Sequence, residues 1–600
     1  MATSFDIIRH RRGWTQQSFA ELNALPQDQL PRLDEALETL HRHKGGEITV
    51  LTDFDMDGTC AGVIMYAGLS ELGFKTNLVI PDYQGSRDVE IEDIDTALHY
   101  YPDTTCIITC DEATNSARGI GYARALGLDV VITDHHHQNV DSPATVLLNP
   151  NAEGVHYSQP DICGAQVAFH LITTYAKRYQ PHAELALSML RIFAGIGALA
   201  DVMPLTGQTR DLIRATTPLM GLACVDAPLT PWGTWDAGRA MTNPAETTPL
   251  CTLTTQVATS TQLKNAIYGF AVLMQQFIAA KKLRSLDDVN TSFIGFTLAP
   301  TFNATRRVGG DMADAFYIFA PNAVRRMVPD YDKTRHRAAA QLISNNENRK
   351  LMTIQALADL DSSTFGDTIY FSDAPAGILG LIATQITKAT SKPSFVINPQ
   401  TLSGSARAPE WFPVITVTET LDGVHAAGHE QACGIRLDNI DAGFTFKKAV
   451  EDYMATLPKE TFLPAPPDLI WSDIPYGLPL TDFYRNVDMP LPTLEDVAVL
   501  IDHLDRIGPF GHGFVYPSIV VHTPLEVCSI TELSGGKHLK ITTPSGMDCL
   551  WWNTPVSPDE LHAQGNDCAI EVEIGIGEFK GVEKAQGIVR SLSVDGKVIA

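Results

Sequence analysis

The chain has 600 residues, 44% of them hydrophobic, too many for one core, so about three or four domains are expected. A formal net charge of −26 counts against nucleic-acid binding over the whole surface, although it leaves room for a local basic groove. Ten cysteines without a CxxC pair argue against a disulfide framework or a zinc knuckle and fit a reducing cytoplasm. The start, with Arg9, His10, Arg11 and Arg12, has no apolar stretch behind it to form a signal peptide. Residues 1–45 read as a helical lead-in. From residue 48, short β-branched runs alternate with helical ones. Strands are predicted at Ile48–Thr52, Asn77–Ile80, Thr105–Thr109, Val130–Thr133 and Thr145–Leu148, a pattern that implies a parallel sheet with crossover helices. Residues 165–200 read as helical with a break at Pro181. The nearly apolar run Leu185–Ala200 carries Arg191 and is shorter than the roughly 18–20 residues that span a bilayer, so it reads as a buried helix and no membrane is expected. A long connecting helix is predicted from about residue 331 to 360. A second α/β pattern follows, with a strand at Thr368–Phe371, a helix at Gly380–Ala389 and a strand at Ser394–Ile397. The stretch Leu463-Pro464-Ala465-Pro466-Pro467 reads as a linker. The last hundred or so residues are β-rich, with strands expected at Ser518–His522, Lys537–Thr542, Cys549–Trp552, Ala569–Ile576 and Gly587–Leu592, which suggests a small barrel.

Chemistry concentrates at strand ends. Asp53-Phe54-Asp55-Met56-Asp57-Gly58 follows the first strand, Asp111 the third, and Asp134-His135-His136 the fourth. Three alternating carboxylates repel one another unless a cation compensates. In an open parallel sheet the carboxyl ends of the strands line one edge, so these groups can meet there. Asp201 can join them from the end of its helix. Taken singly, each Asp is more often an N-cap or turn residue. DxDxDG also resembles the opening of a calcium loop, but that loop needs Glu at its twelfth position, which here is Ile64, and it lies between helices. No GxGxxG signature is present, because Gly119-Ile120-Gly121 lacks the third glycine and follows no strand.

Together, Asp53/Asp55/Asp57, Asp111, Asp134-His135-His136 and Asp201 within Ala200-Asp201-Val202-Met203-Pro204-Leu205 resemble the four motifs of the DHH phosphoesterase superfamily in its RecJ-like branch. The resemblance implies that Asp55, Asp57, Asp111, His135 and Asp201 ligate two divalent ions. By the same resemblance Asp53 and Asp134 are expected to act as ligands or orienters, and His136 to contact the scissile phosphate. Mixed oxygen and imidazole donors suit Mn²⁺ better than Mg²⁺, with either admissible. Further along, Pro300–Arg307 resembles the PRxNAxGR stretch, so Asn303 and Arg307 are expected on phosphate, while Thr301 stands where Arg is usual. Asn346-Glu347-Asn348-Arg349 resembles NxxR, Gly404–Ala408 resembles GSGRS, and Ala427-Gly428-His429 resembles GGH, which adds Ser405, Arg407 and His429 as phosphate contacts. In place of the EGYG-like segment the chain has Pro81–Arg87, where Arg87 is the candidate for the substrate's 5′ end. Gly508–Phe514 resembles the PFGxGxP opening of an oligonucleotide-binding barrel, in which Trp551 and Trp552 are candidates for base stacking. Only one of that pair can face inward.

The fold class implied is α/β: a parallel-sheet DHH domain joined by a long helix to a smaller α/β DHHA1 domain, followed by an OB-like β-barrel. The expected boundaries are a lead-in 1–45, a metal-binding domain 46–235, a helical connector 236–364, a DHHA1 domain 365–460, a linker 461–504 and a barrel 505–600. The activity implied is processive 5′-to-3′ hydrolysis of single-stranded DNA to mononucleotides by a monomeric enzyme. A single-strand-binding protein or other replication and repair proteins are its expected partners. Two alternatives stand beside it. One is a phosphoesterase of short oligonucleotides or cyclic dinucleotides, whose relatives lack the long helix and the barrel. The other is an inactive replication scaffold of the same fold, which the full set of ligand residues opposes.

Overall fold

The computed structural model describes residues 2–79, 88–222, 257–284, 288–323, 330–360, 368–458, 461, 466–474, 487–552, 554, 556–579 and 581–599. The chain divides into two units. The larger holds Asn23–Leu457 with Gly511–Gly513. The smaller holds Met1–Leu22, Pro458–Phe510 and Phe514–Ala600.

The larger unit begins with five strands, β1 (Glu47–Thr52), β2 (Lys75–Leu78), β3 (Thr104–Cys110), β4 (Asp129–Thr133) and β5 (Val146–Leu148), in the order β2-β1-β3-β4-β5. Every pairing is parallel. Alternate side chains feed two cores, as a strand's period of two requires. Ile48, Val50, Cys106, Ile108 and Val131 face one core, shared with the helices Met56–Glu71, Gly164–Tyr179 and Arg191–Ala200. Leu51, Ile107, Val130 and Ile132 face the other, with Ile94 and Ile120 from the helices Ile91–Tyr100 and Ala117–Ala125. The result is a three-layer α/β/α domain whose strand order reverses between β1 and β3. The helix Gly164–Tyr179 stops before Pro181, where the break was expected. By length and composition Pro181–Ala200 could cross a membrane, but 67% of its most apolar 18-residue window is buried inside the protein.

Opposite the carboxyl edge, Asp129 accepts hydrogen bonds from His43 Nε2 at 2.9 Å, Thr145 Oγ1 at 3.0 Å and Arg124 Nη1 at 2.8 Å. Burial disfavours its charge, yet the His43, Thr145 and Arg42 bonds outweigh that and hold the carboxyl at about 2. The folded value lies below the unfolded one, near 3.9, so this stabilisation is complete above that pH and is lost as pH falls through about 2. Asp129→Asn is therefore expected to lower the neutral-pH stability by about 1–2 kcal/mol and to flatten the acid limb of a pH–denaturation profile. Identical profiles for the two proteins would refute it.

The helices Thr261–Ala279, Ala313–Phe319 and Tyr331–Ala358 pack into the first core, so the described part of the connector is built onto the first domain. The 28-residue helix Tyr331–Ala358 starts at Asp330, whose carboxylate caps the Asp332 and Lys333 amides. Its far end, with Met352 and Ala356, packs on the helix Ala376–Thr390 through Ile378 and Ile382. That helix covers a mixed sheet ordered β6 (Ile369–Phe371), β7 (Ser394–Ile397), β8 (Ser403–Arg407), β10 (Ala432–Leu437) and β9 (Val424–His429).

The smaller unit is a nine-stranded sheet that runs through Met489–Pro490, Leu469–Ser472, Ile519–Pro524, Asp567–Phe579, Val582–Val594, Asp548–Trp551, His538–Thr542 and Ser529–Leu533, with Lys597–Val598 beside Val582–Val594. Two expectations change here. Residues 461–504 are not merely a linker: Leu469–Ser472 pairs with Ile519–Pro524, Trp471 is fully buried, and the helix Leu494–Ile507 adds Val497, Leu500 and Leu504 to the core. The lead-in 1–45 splits, because Ile8 and Trp14 lie in this same core and Arg12 grips Asp468 with two nitrogens, at 2.6 and 2.5 Å. Such contacts join residues more than 450 positions apart, beyond the reach of local periodicity.

Candidate metal centre

The ladder of the parallel sheet continues one residue past each strand. The Asp53 amide donates to Cys110 O at 3.1 Å, Asp111 to Thr133 O at 2.8 Å and Asp134 to Leu148 O at 3.2 Å. Three aspartates are thus held by backbone at adjacent strand ends, beside the point where strand order reverses.

Each side chain is then fixed differently. Asp55 caps the helix Met56–Glu71, its Oδ1 accepting from Asp57 N at 2.9 Å and Gly58 N at 3.0 Å. Asp57, in the first turn of that helix, points its carboxylate at another helix start and accepts from Gly164 N at 2.7 Å and Ala165 N at 3.1 Å. Asp111 takes a left-handed backbone, φ 63°, which Asp tolerates better than most residues. Its Oδ1 is buried, accepts no hydrogen bond among the described residues, and lies 3.2 Å from His135 Nε2. The same His135 nitrogen is 3.5 Å from Asp201 Oδ2, at the end of the helix Arg191–Ala200.

Asp134 turns back on its own loop. Its Oδ1 accepts from His135 N at 2.7 Å and from His136 Nδ1 at 2.8 Å, and its Oδ2 from Thr114 N at 3.1 Å. His136 is half-exposed, and with Nδ1 engaged its Nε2 is the free edge of the ring.

Among the described residues, donor atoms converge within 4.8 Å in three sets: Asp57, His135 and Asp201; Asp53, Asp55 and Asp111; and Asp111, Asp134, His135 and His136. Burial, then the charges of Asp57, Asp55, Asp134 and Asp53, push the Asp111 carboxyl well above its usual range. Burial likewise raises Asp57 and lowers His135, which keeps that imidazole neutral. For Asp134, burial is outweighed by the His136 hydrogen bond, and its carboxyl sits far below the usual range. His136 is raised to about 9, first by that hydrogen bond, and is a cation at neutral pH. Buried carboxylates at mutual contact distance are costly, and a cation among them removes the cost. The unbonded Asp111 Oδ1 and the oxygen-plus-imidazole donors fit divalent ions such as Mn²⁺ or Mg²⁺.

Small residues and asparagines complete the site, and sequence reasoning did not single them out. A Cβ on Gly164 would lie 2.5 Å from Asp111 Oδ1, and one on Gly197 would lie 2.2 Å from Asp57 Oδ1. The carbonyls of His135, His136 and His137 are each held by one amide side chain: Asn151 Nδ2 at 2.6 Å, Asn149 Nδ2 at 2.8 Å and Asn115 Nδ2 at 2.9 Å. Asn149 is the residue that follows β5, so the strand-end rule applied to Val146–Leu148 would have found it.

The expected phosphate contacts are partly engaged within the protein. Asn303 Oδ1 accepts from Met56 N at 3.0 Å, fixing the loop between Asp55 and Asp57. Arg307 Nη1 donates to Gly377 O at 2.7 Å, tying its helix to the start of Ala376–Thr390. Arg407 Nη1 donates to Ser405 Oγ at 3.0 Å and to Ala406 O at 2.7 Å. A Cβ on Gly380 would meet Arg407 Nη2 and Ser405 Oγ, each at 3.0 Å, so glycine keeps room for both beside that helix. His429 ends β9 and is exposed. Thr301 is buried and accepts from Asn346 Nδ2 at 3.0 Å, and Asn346 Oδ1 in turn accepts from Arg349 Nε at 3.0 Å. Arg87 lies outside the described residues. In the smaller unit Trp551 is a correction: it is 5% exposed, a core residue unavailable for stacking. Trp552 is 47% exposed and meets the His538 ring edge-on, with centroids 4.8 Å apart.

Comparison with known proteins agrees with this arrangement. Residues 47–195 match the DHH family, N-terminal domain, and residues 487–591 match the RecJ OB domain. The single-stranded-DNA-specific exonuclease RecJ of Escherichia coli strain K12 is 23% identical over 608 residues, which cover 95% of this chain and 91% of that protein. The crystal structure of RecJ from Thermus thermophilus in complex with Mn²⁺ has the same fold, with a TM-score of 0.65 at 19% identity over 98% of this chain and 76% of that one. The complex of the same protein with Mg²⁺ gives 0.61 at 18% identity, over 98% and 74%.

Proposed function

We propose that this chain is a member of the RecJ-like branch of the DHH family and a metal-dependent exonuclease of single-stranded DNA, working from the 5′ end and releasing mononucleotides. The observation that carries the reading is the convergence of Asp53, Asp55, Asp57, Asp111, His135 and Asp201 on one strand edge.

Asp57, His135 and Asp201 would hold one divalent ion and Asp53, Asp55 and Asp111 the other. Bound there, two divalent ions would supply the Lewis acidity that activates water and offsets charge on the leaving oxygen. Asp134 keeps the His136 imidazole charged and aims its free Nε2–H outward, where it can donate to a non-bridging oxygen of the scissile phosphate. Asn303 holds the Asp55–Asp57 loop, and Ser405, Arg407 and His429 offer polar groups to the phosphates that follow. Trp552, exposed beside His538, serves the barrel as a stacking face for unpaired bases. Single-strand-binding or other repair proteins are the partners this activity would meet.

End-labelled single strands and blunt duplexes followed over time with Mn²⁺ test the reading. Single strands should shorten from the 5′ end while blunt duplex persists. Equal rates on both would remove the selectivity, and no hydrolysis of either would favour an inactive scaffold.

The asparagine clamp gives a further expectation. Asn151→Ala releases the His135 carbonyl, and Mn²⁺ affinity should fall about tenfold, as for other groups that orient metal ligands. A Mn²⁺ titration that matches the wild type would leave Asn151 a turn residue only.

A further inference from the structure

Phe54 lies between Asp53 and Asp55, and its ring is covered by a cation. The Arg306 guanidinium carbon sits 4.2 Å from the Phe54 centroid. Arg306 belongs to the helix Ala299–Arg307, which fixes it from both sides in sequence. Asn303, one turn earlier, accepts from Met56 N in the same loop, and Arg307, the next residue, donates to Gly377 O of the following domain. Arg306 is exposed, and among the described residues its guanidinium makes no ion pair or hydrogen bond. That is notable in a chain whose Asp and Glu outnumber Lys and Arg by 70 to 44. It also stands where the PRxNAxGR stretch has glycine, while Thr301, at the position of that motif's first Arg, is buried against Asn346.

We propose that Arg306 is a substrate-binding residue, a guanidinium parked on Phe54 at the rim of the carboxylate cluster that grips a backbone phosphate of the incoming strand. The inference rests on the single-strand nuclease reading above. Contact with the ring uses none of the guanidinium's hydrogen-bonding capacity, so its N–H groups remain available for two phosphate oxygens. The ring also restricts a side chain that otherwise gives up about 2 kcal/mol of rotamer freedom on binding. The six aspartates Asp53, Asp55, Asp57, Asp111, Asp134 and Asp201 outnumber the charges of two divalent ions, so a cation held at the edge of the site adds attraction for an approaching phosphodiester.

The test compares wild type, Arg306→Gln and Arg306→Lys by initial rates on single-stranded oligodeoxythymidylate with saturating Mn²⁺ over a series of salt concentrations. Arg306→Gln should raise KM about tenfold at low salt, with a smaller change in kcat, the size of one charge-assisted hydrogen-bond pair. It should also reduce the log–log salt slope by about 0.7, one phosphate contact on a single strand. Arg306→Lys should restore the slope and part of the KM. Because the residue is exposed, the thermal transition and Mn²⁺ affinity should match the wild type. An active wild type with KM and salt slope unchanged in Arg306→Gln would overturn the role of Arg306 and leave the nuclease reading standing. An inactive wild type would overturn the nuclease reading itself.

Discussion

Asp111→Asn should leave a folded protein whose turnover of single-stranded DNA falls by about a thousandfold or more, at the scale seen when a preorganised charge stabiliser is lost. Asparagine keeps the shape of the side chain and accepts the left-handed backbone at φ 63°. The substitution therefore isolates the charge. In the absence of divalent ions that charge is a liability, since Asp111 is 3% exposed and faces Asp57, Asp55, Asp134 and Asp53. The metal-free variant should then melt no lower than the metal-free wild type. With Mn²⁺ the order reverses: an ion that binds only the folded state raises the wild-type transition, and a variant with a weakened ligand set gains less. Thermal melts with and without Mn²⁺, run beside the activity assay, separate the cases. A variant with near-wild-type turnover at saturating Mn²⁺ would remove Asp111 from the reaction. One that melts far below the metal-free wild type would make it a structural residue.

The central acidic residues were legible because each stands directly after a short apolar run. In a parallel α/β alternation every such run ends at the same edge, so Asp53, Asp111 and Asp134 could meet there, and the strand order β2-β1-β3-β4-β5 makes them neighbours. What sequence could not supply was how each carboxylate is held. The amides that grip Asp57 belong to Gly164 and Ala165, 107 and 108 positions away, and no spacing rule links a strand-end Asp to a distant helix start. The asparagines behind the histidines escape notice for a simpler reason. Asn149-Pro150-Asn151 has the composition of any turn, and only the hydrogen bonds to His136 O and His135 O give it a task. The Trp pair shows the same limit. Alternation required one of Trp551 and Trp552 to face inward, but the choice depends on the phase of the whole strand Asp548–Trp551 against its neighbours. The first 22 residues and Trp471 mark where local reading ends. Ser4 Oγ accepts from Trp471 Nε1 at 3.2 Å across 467 positions, and no helical periodicity foretells its partner.

Gly197→Ala is the second large effect expected, and it tests whether the site depends on close packing as well as on charge. Gly197 lies inside the helix Arg191–Ala200, where alanine is ordinarily the better helix former by about 1 kcal/mol. Propensity alone therefore predicts a more stable protein. The site predicts the opposite. The added methyl would fall 2.2 Å from Asp57 Oδ1 and 2.6 Å from Ala165 Cβ, inside the contact distance of both. Asp57 cannot swing aside without breaking its bonds to Gly164 N and Ala165 N, which are themselves the start of a buried helix. The strain then moves one of the two helices or breaks the grip on the carboxylate, at a cost of about 1–3 kcal/mol in stability. A shift of about 1 Å at a ligand is enough to lower turnover about a hundredfold. Gly295→Ala serves as the control, because its added methyl meets nothing within 4 Å among the described residues. The expected pattern is a Gly197→Ala protein with lower thermal stability, weaker Mn²⁺ binding and a severe loss of kcat, beside a Gly295→Ala protein close to wild type. If Gly197→Ala is stabilised and fully active, Asp57 has freedom the close packing denies it, and the view of the centre as a rigidly held carboxylate cage fails.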